Sequence, residues 1–567
     1  MHKRWNLNQN YQQAQVDALQ QQLKIHPSLC KLLVQRGITT FEEARQFFRP
    51  SLSQLHDPFL MKDMDVAVAR VNKALTNQEK ILVYGDYDVD GTTAVSLLYL
   101  FLKSLYAKVA FYIPDRYHEG YGVSFKGVEF AQQNGYTLII ALDCGIKAHD
   151  KVALANSYGI DFIICDHHRP GNDLPEALAI LDPKRNDCPY PFKELSGCGV
   201  GFKLVQAIAQ NNHIPFAQIE PYLDLVAVSI AADIVDIMGE NRVLAHFGLK
   251  LLNTHPRFGI NALINLSKVS RELSISDVVF FIAPRINAAG RIESGNRAVD
   301  LLTANDFETA RIICDEINEH NTYRKELDTD ITEQALQQIE NDLTFSDRKS
   351  TVVYSAEWHK GVIGIVASRL TDKYYRPTVV MTQTNGHVAG SARSVKDFDV
   401  YNAIEACADL LDQFGGHMYA AGLTMKIENV DAFIQKFETI VSSTIEDRML
   451  IREVDIDDAL LLDDINDSFY RILKQFAPFG PGNMNPTFIS TGLYNSGSSR
   501  IVANKHLKLG LMQKGCNHKK DGIAFNMADC FYLIENTQPF SIAYHIEENS
   551  FNNKVTLQLN IKDIKAD

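Results

Sequence analysis

Long apolar runs, paired cysteines and a nucleotide-binding glycine loop are all missing from this 567-residue chain. The longest strongly apolar stretches, such as Ala94–Leu102 and Val278–Ala283, fall well short of the roughly 20 residues that span a bilayer. The N-terminal MHKRWNLNQNYQQAQ has early basic residues with no apolar core behind them, so no secretory signal is expected. Nine cysteines form no CxxC pair, which argues against a disulfide scaffold and against a zinc ribbon. No Gly-x4-Gly-Lys-Ser/Thr loop is present, so an ATP-driven motor is not indicated. What these absences leave is a reduced, cytoplasmic enzyme with no membrane partner.

Positive charge is also in short supply. Lys+Arg total 56 against 69 Asp+Glu, a net charge of −13, which on its face speaks against a nucleic-acid partner. Net charge sums the whole surface, however, and acidic residues gathered around divalent cations present a positive site to an anion. An enzyme acting on phosphates is not excluded. With 46% hydrophobic and 22% charged residues the chain reads as ordinary globular protein, long enough for roughly three or four domains.

From Ile81 to Pro183 short apolar runs alternate with helical segments. KILVYGDYDVDG is a strand running into a loop, TTAVSLLYLFLKSL a helix, and AKVAFYIPDR, TLIIALDCG and DFIICDHH are further strands. This is the βαβ pattern of a doubly wound parallel sheet, with continuous apolar strands because helices cover both faces. Residues 185–285 read mainly as helices. No Gly or Pro occurs between Gly295 and Gly361, and residues 305–341 are polar and helix-favouring, a long connector. STVVYSAEW, GVIGIVASRLTDKY, PTVVMTQ and HVAGSARS start a second α/β pattern that ends in the glycine-rich turn of GGHMYAAGLTMK. After about Val454, APFGPGNMNPTF and short alternating runs predict a small all-β barrel. The expected organisation is a helical and loop segment over 1–60, α/β over 61–300, a connecting helix over 301–345, α/β over 346–450 and the barrel over 451–567.

Asp86, Asp88 and Asp90 alternate in GDYDVDG, and an extended backbone would point all three to one side. A lone DxD is ordinarily a solvated turn. Here, though, Asp143 ends another strand in LIIALDCG, and Asp166-His167-His168 end a third in FIICDHH. Ligands of open parallel sheets bind outside the carboxyl ends of strands, so the three clusters converge by topology. Carboxylates with imidazole and no cysteine suit Mn²⁺ or Mg²⁺. Two such cations about 4 Å apart are the usual device for phosphoryl hydrolysis: they activate a bridging water and hold the attacked phosphate.

At this point GDYDVDGTTA, PDRYHEGYG, ALDCGI, CDHH, SIAADIVDIMGENR and PRINAAGR resemble the successive motifs of the DHH phosphoesterase superfamily. Specifically they resemble its bacterial branch of single-strand-specific 5′→3′ DNA exonucleases. GSARS and GGHMYAAG are similar to the DHHA1 domain of that branch, and APFGPGNMNPTF to the start of its oligonucleotide-binding (OB) barrel. The resemblance implies an α/β fold with a doubly wound parallel-sheet DHH domain, a long connecting helix, a second α/β DHHA1 domain and a C-terminal all-β OB-like barrel. It implies that Asp88 and Asp90 each favour one metal, that Asp143 bridges both, and that His167 and Asp233 complete the set. Asp86 is then either a further ligand or a supporting residue, and Asp166 orients an imidazole. His168 is either a ligand or a substrate-contacting acid, and Asp236 is an alternative to Asp233.

By the same resemblance Arg116, Arg285, Asn287, Arg291, Ser391 and Arg393 recognise the substrate's backbone or 5′-phosphate, and Gly415, Gly416 and His417 line an opposing wall. Without motif context an arginine is usually a surface salt bridge, and Gly415-Gly416 a tight turn. Tyr87, Tyr117, Tyr121, Tyr419 and Phe414 are candidates for base stacking, although most aromatics are core. The expected activity is two-metal phosphodiester hydrolysis that releases 5′-mononucleotides from single-stranded DNA, in recombination and repair. Its expected partners are a helicase and a single-strand-binding protein, and a monomer suffices. The rival within the superfamily is an oligoribonuclease or cyclic-dinucleotide phosphodiesterase. A rival of another class, a binding protein of replication that has lost its metals, requires lost ligands, yet all are present.

Overall fold

The computed structural model describes residues 3–269, 271–292, 294–535, 538–551 and 554–567. It divides into two compact units, Asn8–Asn321 with Asp457–Asp567, and the N-terminus to Leu7 with Thr322–Ile456.

The first unit is built on a five-stranded, all-parallel sheet. Its strands are β1 (Ile81–Gly85), β2 (Val109–Tyr112), β3 (Leu138–Leu142), β4 (Asp161–Cys165) and β5 (Ala179–Leu181). Their spatial order is β2-β1-β3-β4-β5. β1 and β3 are buried along their whole length because helices cover both faces, which is why ILVYG and LIIAL are unbroken apolar runs. Strand order reverses between β1 and β3, and Asp86 and Asp143 follow these two strands. Helices α1 (Val89–Leu105), α2 (Gly197–Asn211) and α3 (Leu223–Ala232) pack behind that point in one core with the sheet.

The barrel belongs to the same unit. Strands β11 (Phe488–Asn495), β12 (His506–Gln513), β13 (Lys520–Ala524), β14 (Phe540–Phe551) and β15 (Lys554–Ala566) pair in the ring β11-β14-β15-β13-β12, and β12 closes back on β11. Closure removes the sheet edges, as in an OB barrel. Residues 13–48 form three short helices that share the barrel's core.

The second unit carries the sheet β9-β10-β8-β7-β6, made of β6 (Thr351–Ser355), β7 (Thr378–Thr384), β8 (His387–Arg393), β9 (Gln413–His417) and β10 (Ala420–Met425). Only β6 and β7 pair in parallel. The expected glycine-rich turn is corrected here: Gly415 and Gly416 lie within β9, opposite Gly422 and Ala421, and the hairpin turns after His417. A strand also escapes the sequence pattern. Arg4–Leu7 pairs with Glu453–Ile456, a partner too distant in sequence for local periodicity to reveal.

Two helices bear on the site. α4 (Ala283–Ile292) carries the RINAAGR motif and follows a π-helical turn, Val278–Ile282. The expected connector is α5 (Phe307–Asn341), 35 residues or about 52 Å, which runs from the first unit into the second.

One buried ion pair pins the N-terminal segment to the sheet domain. Lys203 Nζ lies 2.7 Å from Glu240 Oε1, with both side chains inaccessible to solvent. The remaining capacity of this pair is met by the Gln206 side chain, the His56 carbonyl and N–H, and the Tyr190 hydroxyl. Removing one partner strands a buried charge. Lys203→Met is therefore expected to lower the unfolding free energy of this unit by about 3–5 kcal/mol, read from the urea midpoint.

Candidate metal centre

The turn after β1 corrects one expectation. Asp86, Asp88 and Asp90 do not share an extended segment. Asp86 follows β1, Asp88 caps α1 by accepting the Gly91 N–H at 3.0 Å, and Asp90 sits in the first helical turn. A carboxylate is a strong N-cap, so the chain turns into helix where an alternating strand would have had to continue.

Asp90 is buried and tightly held. It accepts the N–H groups of Gly197 and Cys198 and the Ser229 hydroxyl, each at 2.7 Å. The first two donors are the N-terminus of α2, a natural seat for a negative charge. Gly197 also lets Asp143 come close to this helix end, since a Cβ there would lie 2.6 Å from Asp143 Oδ1.

Asp143 follows β3 in the left-handed region, with φ +58°, and its side chain is buried. Its Oδ1 comes within 3.2 Å of His167 Nε2 without hydrogen-bonding to it. The other ring nitrogen of His167 donates to the Leu195 carbonyl at 3.1 Å, which leaves the Nε2 lone pair facing the carboxylates. Asp233, at the end of α3, places Oδ2 3.5 Å from that same nitrogen, and Asp90 Oδ2 is 3.7 Å away. Two overlapping sets result, Asp143–His167–His168 and Asp90–His167–Asp233, with the candidate ligand atoms of each within 4.8 Å of one another.

The electrostatics are those of a site built for cations. Burial, reinforced by Asp90, Asp88, Asp233 and Asp166, pushes the Asp143 carboxyl well above the carboxylate range. Burial with its acidic neighbours pushes Asp86 and Asp233 up to about 8, and raises Asp88. Burial also holds His167 below the usual imidazole range. Asp143 Oδ1, His167 Nε2 and Asp86 Oδ2 are buried without a hydrogen-bond partner among the described residues. Such orphaned atoms, all oxygen or imidazole nitrogen with no thiolate, fit Mn²⁺ or Mg²⁺.

Asp166 and His168 behave differently. Burial opposes the Asp166 charge but is outweighed by the His168 ring and by the Ile146 and His168 N–H groups, which hold Asp166 down at about 2. Burial likewise opposes the His168 cation, yet Asp166, 2.7 Å from Nδ1, raises it to about 9. His168 Nε2 lies 3.1 Å from the Tyr121 hydroxyl. Asp86 faces the Gly122 N–H at 3.2 Å, and Asp236 is exposed and outside both ligand sets.

The phosphate-handling candidates fall into two groups. In the first unit Arg116 lies 4.7 Å above the Tyr87 ring, which packs edge-on against Tyr121. α4 abuts this loop so closely that a Cβ at Gly290 would lie 2.7 Å from the Tyr87 carbonyl. On α4, Arg285 donates to Asn318 and to the Phe281 carbonyl, Asn287 is half-buried, and the Arg291 side chain is outside the described residues. Tyr117 is half-buried, its N–H on Asp115. In the second unit strand register does the work. Ser391, Gly422 and Gly415 form one row, and Arg393, Ala420 and His417 the next but one, so Ser391, Arg393, Gly415 and His417 share a sheet face. Arg393 donates to Ser391 Oγ at 3.0 Å. Phe414 and exposed Tyr419 flank that hairpin.

Some participants went unnoticed in the sequence. Asp182 follows β5 in AILDPK, a fourth strand ending in a carboxylate; it is fully buried, one oxygen lacks a hydrogen-bond partner among the described residues, and burial with nearby Asp166 pushes it up to about 7. Ser229 and the Leu195 carbonyl carry no local signal. Cys144, Cys165 and Cys198 surround the cluster, and burial raises each thiol.

Three family models match in order: the DHH family N-terminal domain over residues 80–230, the DHHA1 domain over 347–443 and the RecJ OB domain over 456–563. Fold and site together define a phosphoesterase of the DHH class. The single-stranded-DNA-specific exonuclease RecJ of Bacillus subtilis (strain 168) is 38% identical over 566 residues, covering 99% of this chain and 70% of that protein. The protein of the same name in Escherichia coli (strain K12) is 31% identical, covering 95% and 96%. The crystal structure of RecJ in complex with Mn²⁺ from Thermus thermophilus matches with a TM-score of 0.86 at 28% identity, covering 100% of this chain and 80% of that one. Its Mg²⁺ complex gives 0.80 at 26%, covering 100% and 78%. The chain belongs to the RecJ family.

The raised Asp233 carboxyl fixes the sign of a pH effect. Folded Asp233 titrates near 8, above its unfolded value of 3.8, so its contribution to stability is present at low pH and lost as pH rises towards 8. In chelator, Asp233→Asn is expected to match wild type near pH 4 and to melt progressively higher than it as pH approaches 8. A temperature difference that stays flat across this window contradicts the assignment.

Proposed function

We propose that this chain is a metal-dependent exonuclease specific for single-stranded DNA, degrading it 5′→3′ to 5′-mononucleotides in recombination and repair. The observation that carries the reading is the cluster of buried, unpartnered carboxylate and imidazole atoms in a chain of the RecJ family. Asp88, Asp90, Asp143, His167 and Asp233 would hold two divalent cations, with Asp86 in support. When bound, such cations lower the pKa of water and neutralise the scissile phosphate.

The remaining roles belong to the protein. Asp166 holds His168 in one orientation and favours its protonated form in the metal-free chain, so the remaining ring N–H, beside the Tyr121 hydroxyl, is the donor we assign to the substrate. That donor hydrogen-bonds a phosphate oxygen as charge develops on it. Arg116, Arg285, Asn287 and Arg291 grip phosphate in the first unit, and Ser391, Arg393, Gly415, Gly416 and His417 do so in the second. Tyr87, Tyr117, Tyr121, Phe414 and Tyr419 offer rings to unpaired bases. The barrel adds salt-sensitive grip.

Nine cysteines without a disulfide support a cytoplasmic setting, and among the described residues no helix is long and apolar enough to cross a membrane. The enzyme acts as a monomer, with a helicase supplying single strands and a single-strand-binding protein at hand.

Digestion of single-stranded DNA labelled at either end tests this. With Mn²⁺ the 5′ label is expected to appear at once as mononucleotide, chelator stops the release, and a blunt duplex resists. Asp143→Ala should lower kcat at least about 100-fold. Inertness on long strands with cleavage of di- to pentanucleotides would assign the chain to the small-oligonucleotide branch.

A further inference from the structure

The loop that follows Asp233 is strained and held from outside. Ile234 is β-branched, exposed and at φ +57°, a conformation such residues avoid unless their surroundings impose it. Gly239, at φ +50°, ends the loop and opens the helix Gly239–Thr254. Between them Ile237 is fully buried.

What imposes this shape is the segment leading into the barrel. The Ile237 N–H donates to the Pro481 carbonyl at 2.7 Å. Gly480 and Gly482 close in around that bond: a Cβ at Gly480 would lie 2.5 Å from Ile237 Cδ1, and one at Gly482, itself at φ +71°, 3.1 Å from Met238 Cγ and 3.2 Å from Asp236 Cγ. From the other side Asn241, fully buried, donates to the Asp236 carbonyl at 2.9 Å.

The segment is itself immobilised. Arg242 stacks 3.6 Å above the Phe47 ring and donates to the carbonyls of Phe47, Gln475, Phe476 and Ala477. Among the described residues it has no carboxylate partner, and burial pulls its guanidinium down to about 9. Asn483, also fully buried, donates to the Phe476 and Pro478 carbonyls and accepts from Arg36. So many obligate hydrogen bonds on one short stretch make it a fixed wall, not a linker.

We infer that residues 475–483 are a positioning element for Asp233: by holding the 234–238 loop in its strained form, they set the Asp233 carboxylate against His167. The seat of one of the two cations is then complete only when the barrel's lead-in is docked. This rests on the reading of Asp233 as a ligand, and it goes beyond that reading by assigning the ligand's placement to Ile237, Arg242, Gly480 and Gly482.

Titration of the metal-free full chain with Mn²⁺, with free ion followed by electron paramagnetic resonance, tests the inference. Gly480→Val drives a side chain into Ile237 and is expected to weaken one of two Mn²⁺ equivalents about 10–100-fold, the range for residues that orient a ligand, with the other unchanged. Ile237→Ala added to Gly480→Val makes room and restores the lost affinity. Arg242→Lys, which keeps the charge but loses the fork of donors, gives the same one-site loss and carries the test if Gly480→Val does not fold. Single-stranded DNA binding in chelator reports that the barrel is intact. Folded variants that bind both equivalents as wild type does, while Asp233→Asn has lost one, overturn the positioning role. Asp233→Asn retaining both overturns the ligand assignment beneath it.

Discussion

Mutual repulsion among buried carboxylates governs this molecule. Asp90, Asp143 and Asp233 converge on the His167 imidazole, Asp90 and Asp143 fully out of reach of water, and Asp88 adds its charge beside them. Every local feature nearby serves to tolerate that crowding. The N-terminus of α2 neutralises Asp90, the left-handed turn at Asp143 aims its oxygen away from backbone donors, and the Leu195 carbonyl fixes the tautomer of His167. A parallel sheet suits the task because every strand delivers its last residue to the same edge. What the fold leaves unbalanced, cations balance, so the energetic cost of assembling the site is also the source of its affinity.

The second sheet solves a different problem. It gathers one arginine, a serine, a histidine and bare glycine backbone by strand register alone, and no helix terminus or buried acid is needed. Such a surface suits an extended anionic chain, whose charges repeat at intervals and which no single deep pocket could hold. The barrel, for its part, is no appendage on a string. Its approach shares hydrogen bonds with the N-terminal helices and with the helix after Asp233, so grip and cation seat are parts of one packed body.

Much of this was legible in the chain. Unbroken apolar runs ending in aspartate announced a doubly wound sheet and its carboxyl edge, and the lack of Gly and Pro between Gly295 and Gly361 announced the long helix. What escaped reading depended on distance or on capping. The strand Arg4–Leu7 exists only because Glu453–Ile456 lies beside it. Asp88 became a cap, not a strand residue, since a local side-chain hydrogen bond outcompetes alternation. Asp182 was overlooked because its strand is only three residues long and the Pro after it reads as a plain turn. The Pro481–Ile237 bond joins segments far apart in sequence, and no periodicity encodes it.

The thiols around the centre have a consequence for chemistry under stress. Cys144 is a direct neighbour of Asp143, and Cys198 gives its N–H to Asp90, yet both sulfurs are sealed from solvent. Peroxide attacks thiolate, and thiolate is the form that a low dielectric and adjacent carboxylates suppress. The acidity that prepares the centre for cations therefore also keeps its sulfur in the thiol form, the form that peroxide attacks least.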